Sequence, residues 1–338
     1  MKKILITGGA GYIGSHTAVE LWNAGLEPII LDDFSNSHET VLDRLEEITG
    51  KRFAFYKGDC NQREILDQIA QDHQLAGVIH FAAFKAVGES TQQPLAYYKN
   101  NLGSLLVLLE FMQEKGIQNI VFSSSCTVYG QPDVLPVTEA TPRKDAESPY
   151  GNTKKIGEDI LVDYVKSKPG IRVVALRYFN PVGAHPSAKI GELPMGTPQN
   201  LVPFITQTAA GIRQKLTVFG NDYDTPDGSC VRDYIHVVDF ADAHVKALRF
   251  LFEKPLDFYE VFNVGTGKGN TVLEVIHAFE QVNGLKLAYE IGPRRAGDVV
   301  KTWADTQKIN AVLGWYPKYN LEDCMRDSWR WQQTLPSS

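Results

Sequence analysis

Lys3-Ile4-Leu5-Ile6-Thr7-Gly8-Gly9-Ala10-Gly11-Tyr12-Ile13-Gly14 is the stretch that decides the fold. A short apolar run ends in glycines spaced Gly9-x-Gly11-x-x-Gly14, and a helical pattern follows from Gly14 to Ala24. A strand that breaks into a glycine turn and restarts as a helix leaves backbone amides at the helix N-terminus, an arrangement able to hold a pyrophosphate. The second strand, Pro28 to Asp32, ends in a carboxylate 18 residues beyond Gly14, placed to accept hydrogen bonds from an adenine ribose diol. A 2′-phosphate there would be repelled by about 4 kcal/mol per charge pair at 4 Å and an effective dielectric of about 20. The cofactor reading is therefore NAD rather than NADP. Asp59, after the third strand, serves either as a polar contact to adenine or as a plain turn aspartate.

Working outward, short apolar runs alternate with helical patterns. Strands are expected at Arg52 to Lys57, Gly77 to Ala82, Asn119 to Ser124 and Arg172 to Phe179, and helices at Arg63 to Asp72, Pro94 to Lys115 and Pro149 to Lys168. Continuous apolar strands are those buried on both faces, so the fold class is α/β, a Rossmann-like doubly wound parallel sheet with a smaller C-terminal α/β substrate domain. The expected boundary puts the nucleotide-binding domain at 1–180 and the second domain at 181–338. The later helices are expected at Leu201 to Ile212, Val238 to Phe252, Thr271 to Asn283 and Leu321 to Thr334, and a strand at Tyr259 to Val264 would cross back to the first domain. In the helix from Pro94, Leu105 to Leu109 are apolar all round, so two sides should be covered, the second by another part of the chain or by a second copy.

The 338 residues, 43% of them apolar, are ample for a core, and a formal net charge of −6 without a Lys/Arg block argues against nucleic acid or an anionic membrane as partner. Three apolar residues before the glycines are too few for a signal peptide, no run reaches membrane-span length, and Cys60, Cys126, Cys230 and Cys324 show no paired spacing, so a cytoplasmic protein is expected. His236, Asp239 and His244 lack a metal-ligand spacing, and no metal site is expected. Val264 to Gly269 lacks the Gly-Lys-Ser/Thr of a phosphate loop and reads as the turn into the helix at Thr271.

The chemistry is carried by Ser148-Pro149-Tyr150-Gly151-Asn152-Thr153-Lys154. Ser148 suits a helix N-cap and Pro149 the first helical position, so Tyr150 and Lys154, four residues apart, share one helix face. The fifth strand ends in Ser123-Ser124-Ser125, at the carboxyl edge where open α/β sheets bind ligands. One of these serines can hydrogen-bond a substrate hydroxyl while Tyr150 deprotonates it. A phenol of reference pKa about 10 must be shifted down for that work, here by Lys154 and an oxidised nicotinamide ring.

These motifs resemble the extended short-chain dehydrogenase/reductase family. Thr7 to His16, His80 to Ser90, Leu176 to His185, Val231 to Val237 and Arg294 to Asp298 are similar to strings of its nucleotide-sugar 4-epimerases. The resemblance implies that Gly8, Gly11, Tyr12, Ile13, Gly14, Asp32, Asn36, Asp59, Cys60, Phe81, Lys85, Asn100, Ser123, Tyr150, Lys154 and Phe179 line NAD. It implies Ser125, Tyr150 and Lys154 as catalytic residues. A UDP-hexose would be held by Ser125, Tyr150, Asn180, Asn200, Leu201, Thr217, Phe219, Arg232, Tyr234, Arg295, Asp298 and Thr302. Guanidinium groups such as Arg232 and Arg295 suit diphosphate oxygens on general grounds. Thr302 stands where relatives restricted to glucose and galactose often carry Tyr and relatives accepting N-acetylhexosamines carry a smaller residue, so either UDP-GlcNAc and UDP-GalNAc are further substrates or a neighbouring loop side chain refills the space. The family also implies a homodimer formed by the helices from Pro94 and Pro149.

Other readings stay open at this stage. Sugar 4,6-dehydratases share the glycine loop, Tyr and Lys, but resemble Thr-Asp-Glu where this chain has Ser125-Cys126-Thr127. A nucleotide-sugar-acid decarboxylase would need a carboxylate site that the sequence does not reveal. An ordinary dehydrogenase would release NADH, and a noncatalytic NAD-binding scaffold would have no use for a full acid/base set.

Overall fold

In the computed structural model, which describes residues 1–295 and 299–336, the chain divides into two compact units. Unit 1 comprises Met1–Gly130, Pro142–Tyr178 and Ala241–Phe262. Unit 2 comprises Gln131–Thr141, Phe179–Phe240 and the described residues from Asn263 onward.

Unit 1 is built on β1 (Lys3–Thr7), β2 (Glu27–Asp32), β3 (Ala54–Lys57), β4 (Leu75–His80), β5 (Asn119–Ser125) and β6 (Arg172–Tyr178). Their spatial order is β6-β5-β4-β1-β2-β3, every one of these pairings is parallel, and the strand Phe258–Val264 lies outside β6. The order reverses at β1, whose two neighbours are β2 and β4, and that reversal makes the crevice at the carboxyl edge of an open sheet. α1 (Tyr12–Asn23), α2 (Thr40–Thr49), α3 (Arg63–Asp72), α4 (Val87–Gln92), α5 (Pro94–Lys115) and α6 (Pro149–Lys166) complete the pattern.

One face of the sheet presents Leu5, Ile29, Val78, Ile120 and Val173 to Leu66 and Ile69 of α3, Leu105, Leu108, Leu109 and Met112 of α5 and Leu161 of α6. Alternate positions such as Ile4, Ile6, Ile30, Ile79 and Val121 point the other way and are also fully buried, so the runs are apolar throughout. Each such side chain contributes about 1.5–3 kcal/mol by burial. α5 covers the sheet with one side only: within the single chain Leu106 is 47% and Leu95 82% exposed.

Unit 2 packs the helices Leu201–Ala209, Val272–Asn283 and Leu321–Gln332 around Val202, Ile205, Ile276, Phe279 and Met325, with Leu216 and Val218 from the strand Leu216–Phe219. That strand pairs in parallel with Tyr289–Gly292, and Asn180–Val182 pairs in parallel with Tyr234–His236. The glycines after Val264 form the expected turn: Asp233 accepts hydrogen bonds from the Thr266 and Gly267 amides, and Thr271 caps the next helix through a capping box with Glu274. His236 is held by its Nδ1 accepting the Val238 amide and by its ring stacked 4.2 Å from that of Tyr319. Among the described residues no helix is long and apolar enough to cross a membrane.

Candidate active site

The turn after β1 is set by backbone geometry. Gly8 has φ +70°, and its amide and that of Gly9 bond to Leu31 O at 2.8 and 3.2 Å. A Cβ on Gly14 would stand 2.2 Å from Gly8 O, so only glycine lets the helix start approach the turn this closely. α1 begins at Tyr12 behind Gly11, with no side chain capping it and no acidic residue in its first turn. The Tyr12 and Ile13 amides therefore belong to the set of helix-start donors that a phosphate oxygen can occupy.

Asp32 closes β2 with 7% exposure. Its carboxylate takes the Ala10 amide at 2.9 Å, the Phe34 amide at 2.9 Å and the Ser37 hydroxyl at 2.7 Å. It thus ties the glycine turn to the loop carrying exposed Asn36 and, with lone pairs to spare on a carboxylate, can still accept from a ribose. This set, a cradle that a single Cβ would fill and an acid at the next strand end, fits an adenine dinucleotide. Asp59 accepts both the amide and side-chain nitrogen of Asn61, the geometry of an Asx turn, and Asn61 in turn donates to Asn100 at 3.2 Å. Cys60 is buried beside it, and burial pushes its thiol up to about 12. After β4, Phe81 donates its amide to Thr7 O at 3.0 Å and Lys85 is exposed on the loop that Asn101 holds through Phe84.

The acid/base group lies at the ends of β5 and β6. Ser148 caps α6 by accepting the Gly151 amide at 3.2 Å, with Pro149 next, and this fixes where Tyr150 emerges. Tyr150 is 8% and Lys154 4% exposed. Lys154 Nζ donates to Ser123 O at 2.7 Å and lies 6.0 Å from the centroid of the Tyr150 ring. Ser125 hydrogen-bonds Tyr150 and also accepts the Thr127 amide at 3.2 Å. Ser123 bonds through its hydroxyl to Tyr178, a residue that sequence reasoning did not place in the site.

The chain's own groups do not by themselves shift Tyr150 downward. Burial pushes this phenol well above its ordinary value, the neighbouring Tyr178 adds to the rise, and only the Ser125 hydrogen bond opposes it. Burial acts on Lys154 in the opposite sense and brings its ammonium down to about 7. His80, bonded to Thr7 at 2.8 Å, is brought down to about 3, by burial and then by Lys154, so it stays neutral.

The remaining sequence-derived positions among the described residues lie in unit 2. Asn180 and Tyr234 are register partners, Asn200 precedes the helix begun by Leu201 and donates to Glu192 at 2.6 Å, and Phe179 is buried with its amide on Val264 O at 3.3 Å. Thr217 and Phe219 share one strand, and the Arg295 guanidinium stands 5.5 Å from the Phe219 ring centroid. Arg232 bonds back to Val231 O at 2.9 Å, and the same carbonyl accepts the amide of Thr302, which is 8% exposed. Asp298 lies outside the described residues. Arg294, the neighbour of Arg295, is tied to Asp222 at 2.7 Å.

Fold and acid/base set together define a short-chain dehydrogenase/reductase of the extended, nucleotide-sugar type. The family described as GDP-mannose 4,6 dehydratase matches residues 5–328. A UDP-glucose 4-epimerase of Bacillus subtilis is 51% identical over 98% of this chain and 97% of its own. The crystal structure of the Stenotrophomonas maltophila UDP-glucose 4-epimerase, with bound NAD and formylated UDP-arabinopyranose, superposes with TM-score 0.96 at 46% identity over 98% of each chain. That of Bifidobacterium longum, in complex with NAD+ and UDP, does so with TM-score 0.95 at 45% identity over 98% of each chain. The chain belongs to the UDP-glucose 4-epimerase family.

Proposed function

We propose that the chain interconverts UDP-glucose and UDP-galactose, and that the observation carrying this reading is the buried Ser125–Tyr150–Lys154 set at the same sheet edge as the glycine cradle. NAD, held by the glycine turn and Asp32, supplies hydride acceptance and return at the sugar C4. Tyr150 takes the 4-hydroxyl proton and later gives it back. Ser125 orients that hydroxyl, and Lys154, poised near neutral pKa, favours the phenolate when charged. Between the two proton transfers the 4-keto sugar turns over, which requires a firm hold on UDP and a loose one on the ring. We assign the firm hold to Arg232 and Arg295, with Asn180, Asn200, Leu201, Thr217, Phe219, Tyr234 and Asp298 completing the nucleotide-sugar set. The 4,6-dehydratase reading lacks its Asp-Glu pair at Cys126 and Thr127.

The test is incubation of purified protein, without added cofactor, with UDP-galactose. UDP-glucose should appear, and its absence even after NAD is added would overturn the reading. Thr302 supports turnover of UDP-GlcNAc and UDP-GalNAc as well, since a side chain of this size at the sugar gate leaves room for an N-acetyl group. Leu95 and Leu106 lie three helical turns apart on one exposed line of α5, which supports a homodimer through α5 and α6. Sedimentation over a tenfold dilution should show it, and monomer throughout would refute it. The buried thiols of Cys60, Cys230 and Cys324 support a cytoplasmic location.

A further inference from the structure

Glu158 lies on α6 two turns beyond Tyr150 and one beyond Lys154, so all three share a helix face. It is 1% exposed. Its carboxylate accepts Nε and a terminal nitrogen of Arg177 at 2.8 and 2.6 Å, the Ser124 hydroxyl at short range, and Arg143 at 3.4 Å. Arg177, 5% exposed, also donates to the Tyr129 hydroxyl at 2.9 Å. Ser124 and Arg177 are register partners on β5 and β6, so one carboxylate ties the helix to two adjacent strands.

None of the proton or hydride chemistry uses this group. Nor is stability a sufficient reason for it, because well-packed apolar residues of similar volume are often as stabilising as a buried ion pair. What the pair adds is direction: bidentate hydrogen bonds fix both the translation and the rotation of α6 against the sheet. Ser124 stands between Ser123, whose carbonyl holds Lys154, and Ser125, whose hydroxyl meets Tyr150.

We propose that Glu158 is a positioning residue which, through Ser124 and Arg177, sets the Ser125–Tyr150 hydrogen bond and the seat of Lys154. The proposal rests on the functional reading above and deepens it. It is tested on the cofactor-loaded enzyme with Ser124→Ala, Glu158→Leu and Glu158→Leu/Arg177→Met. For each, kcat and KM for UDP-galactose are taken per folded chain, together with Tm. Ser124→Ala should lower kcat by about tenfold or more with KM little changed, since a misplacement of about 1 Å can cost up to about 10²-fold. Glu158→Leu should lower both Tm and kcat, and the double variant should recover Tm while kcat stays low. Recovery of kcat along with Tm, or Ser124→Ala turning over within about twofold of wild type, would overturn it. If the wild type itself fails to turn over, the functional reading has failed, and a measurement that needs no turnover decides the role of Glu158. This is the phenolate titration of Tyr150 by ultraviolet difference against Tyr150→Phe: its midpoint rises in Ser124→Ala if Glu158 positions Ser125, and stays put if it does not.

Discussion

Gly14→Ala probes the cofactor cradle where the structure leaves least room. The added methyl would sit 2.2 Å from Gly8 O and 2.8 Å from Gly9 Cα, both backbone atoms that no rotamer change can move aside. Relief requires α1 to retreat from the turn by about 1 Å, and overpacking of this kind costs about 1–3 kcal/mol. The amides that would hold the pyrophosphate ride on the displaced segment, so much of that cost falls on binding. At about 1.4 kcal/mol per factor of ten, NAD affinity should fall about 10- to 100-fold. Nucleotide released on denaturation of purified protein, followed by titration with NAD, measures this directly. Gly88→Ala is the control: it lies in α4, no atom comes within 4 Å of its Cβ, and it should leave cofactor content unchanged while adding up to about 1 kcal/mol of helix stability. A Gly14→Ala protein that retains wild-type NAD content and affinity would refute the assignment of this turn as the cradle.

Tyr150→Phe should lower turnover by about 10²- to 10⁴-fold while NAD remains bound, as judged by chromatography of products and nucleotide content; unchanged turnover would mean that another group is the base. Thr302→Tyr should abolish turnover of UDP-GalNAc and spare that of UDP-galactose, whereas a wild type inactive on UDP-GalNAc would show that other side chains fill the gate. Lys154 links stability to pH. Its folded value of about 7 lies below the ordinary 10.5, so between about pH 7 and 10 the unfolded chain holds more protons. Over that window the nucleotide-free wild type should gain Tm relative to Lys154→Met as pH rises, and a constant difference would contradict the burial of the amine.

The sheet was legible because its central strands are buried on both faces and so cannot hide among charged helices. Its ends were less so. Leu75 joins β4 because a register shift beside Lys3 lets it pair, and Phe81 leaves the strand while still giving its amide to Thr7. β3 starts at Ala54 rather than Arg52, whose guanidinium is drawn to Asp43 and Glu46. α2 escaped notice because only Leu42 and Leu45 of it are buried, and α4 because only Ser90 is. In the candidate site, the places of the glycine turn, Asp32 and the Ser–Tyr–Lys set could be read from spacing, since each is fixed by its own position in a strand or helix. Glu158 could not, because a carboxylate in a helix ordinarily faces water. The signal was there in the i, i+4, i+8 series of Tyr150, Lys154 and Glu158, but Arg177, the partner that makes burial tolerable, is supplied by a strand beginning after α6 has ended.

Burial raises Tyr150 and lowers Lys154 by the same cause, the loss of water around a charge. Burial therefore favours the neutral form of each, whereas opposite charges favour one another, so a phenolate beside an ammonium is less costly in such a site than either by itself. On the proposed assignment of Tyr150 as the base, the proton it accepts from a sugar hydroxyl is then best described by the pair, and a pH–rate profile should report apparent values belonging to both residues rather than to one. Lys154→Met removes the partner, so its effect should exceed a simple loss of cofactor contact. The basic requirement of the reaction should move to higher pH, with NAD still bound, because the phenol is left with burial and Tyr178, which raise it, opposed by the Ser125 hydrogen bond. A variant whose kcat falls uniformly at every pH would show that the lysine acts only in holding the cofactor.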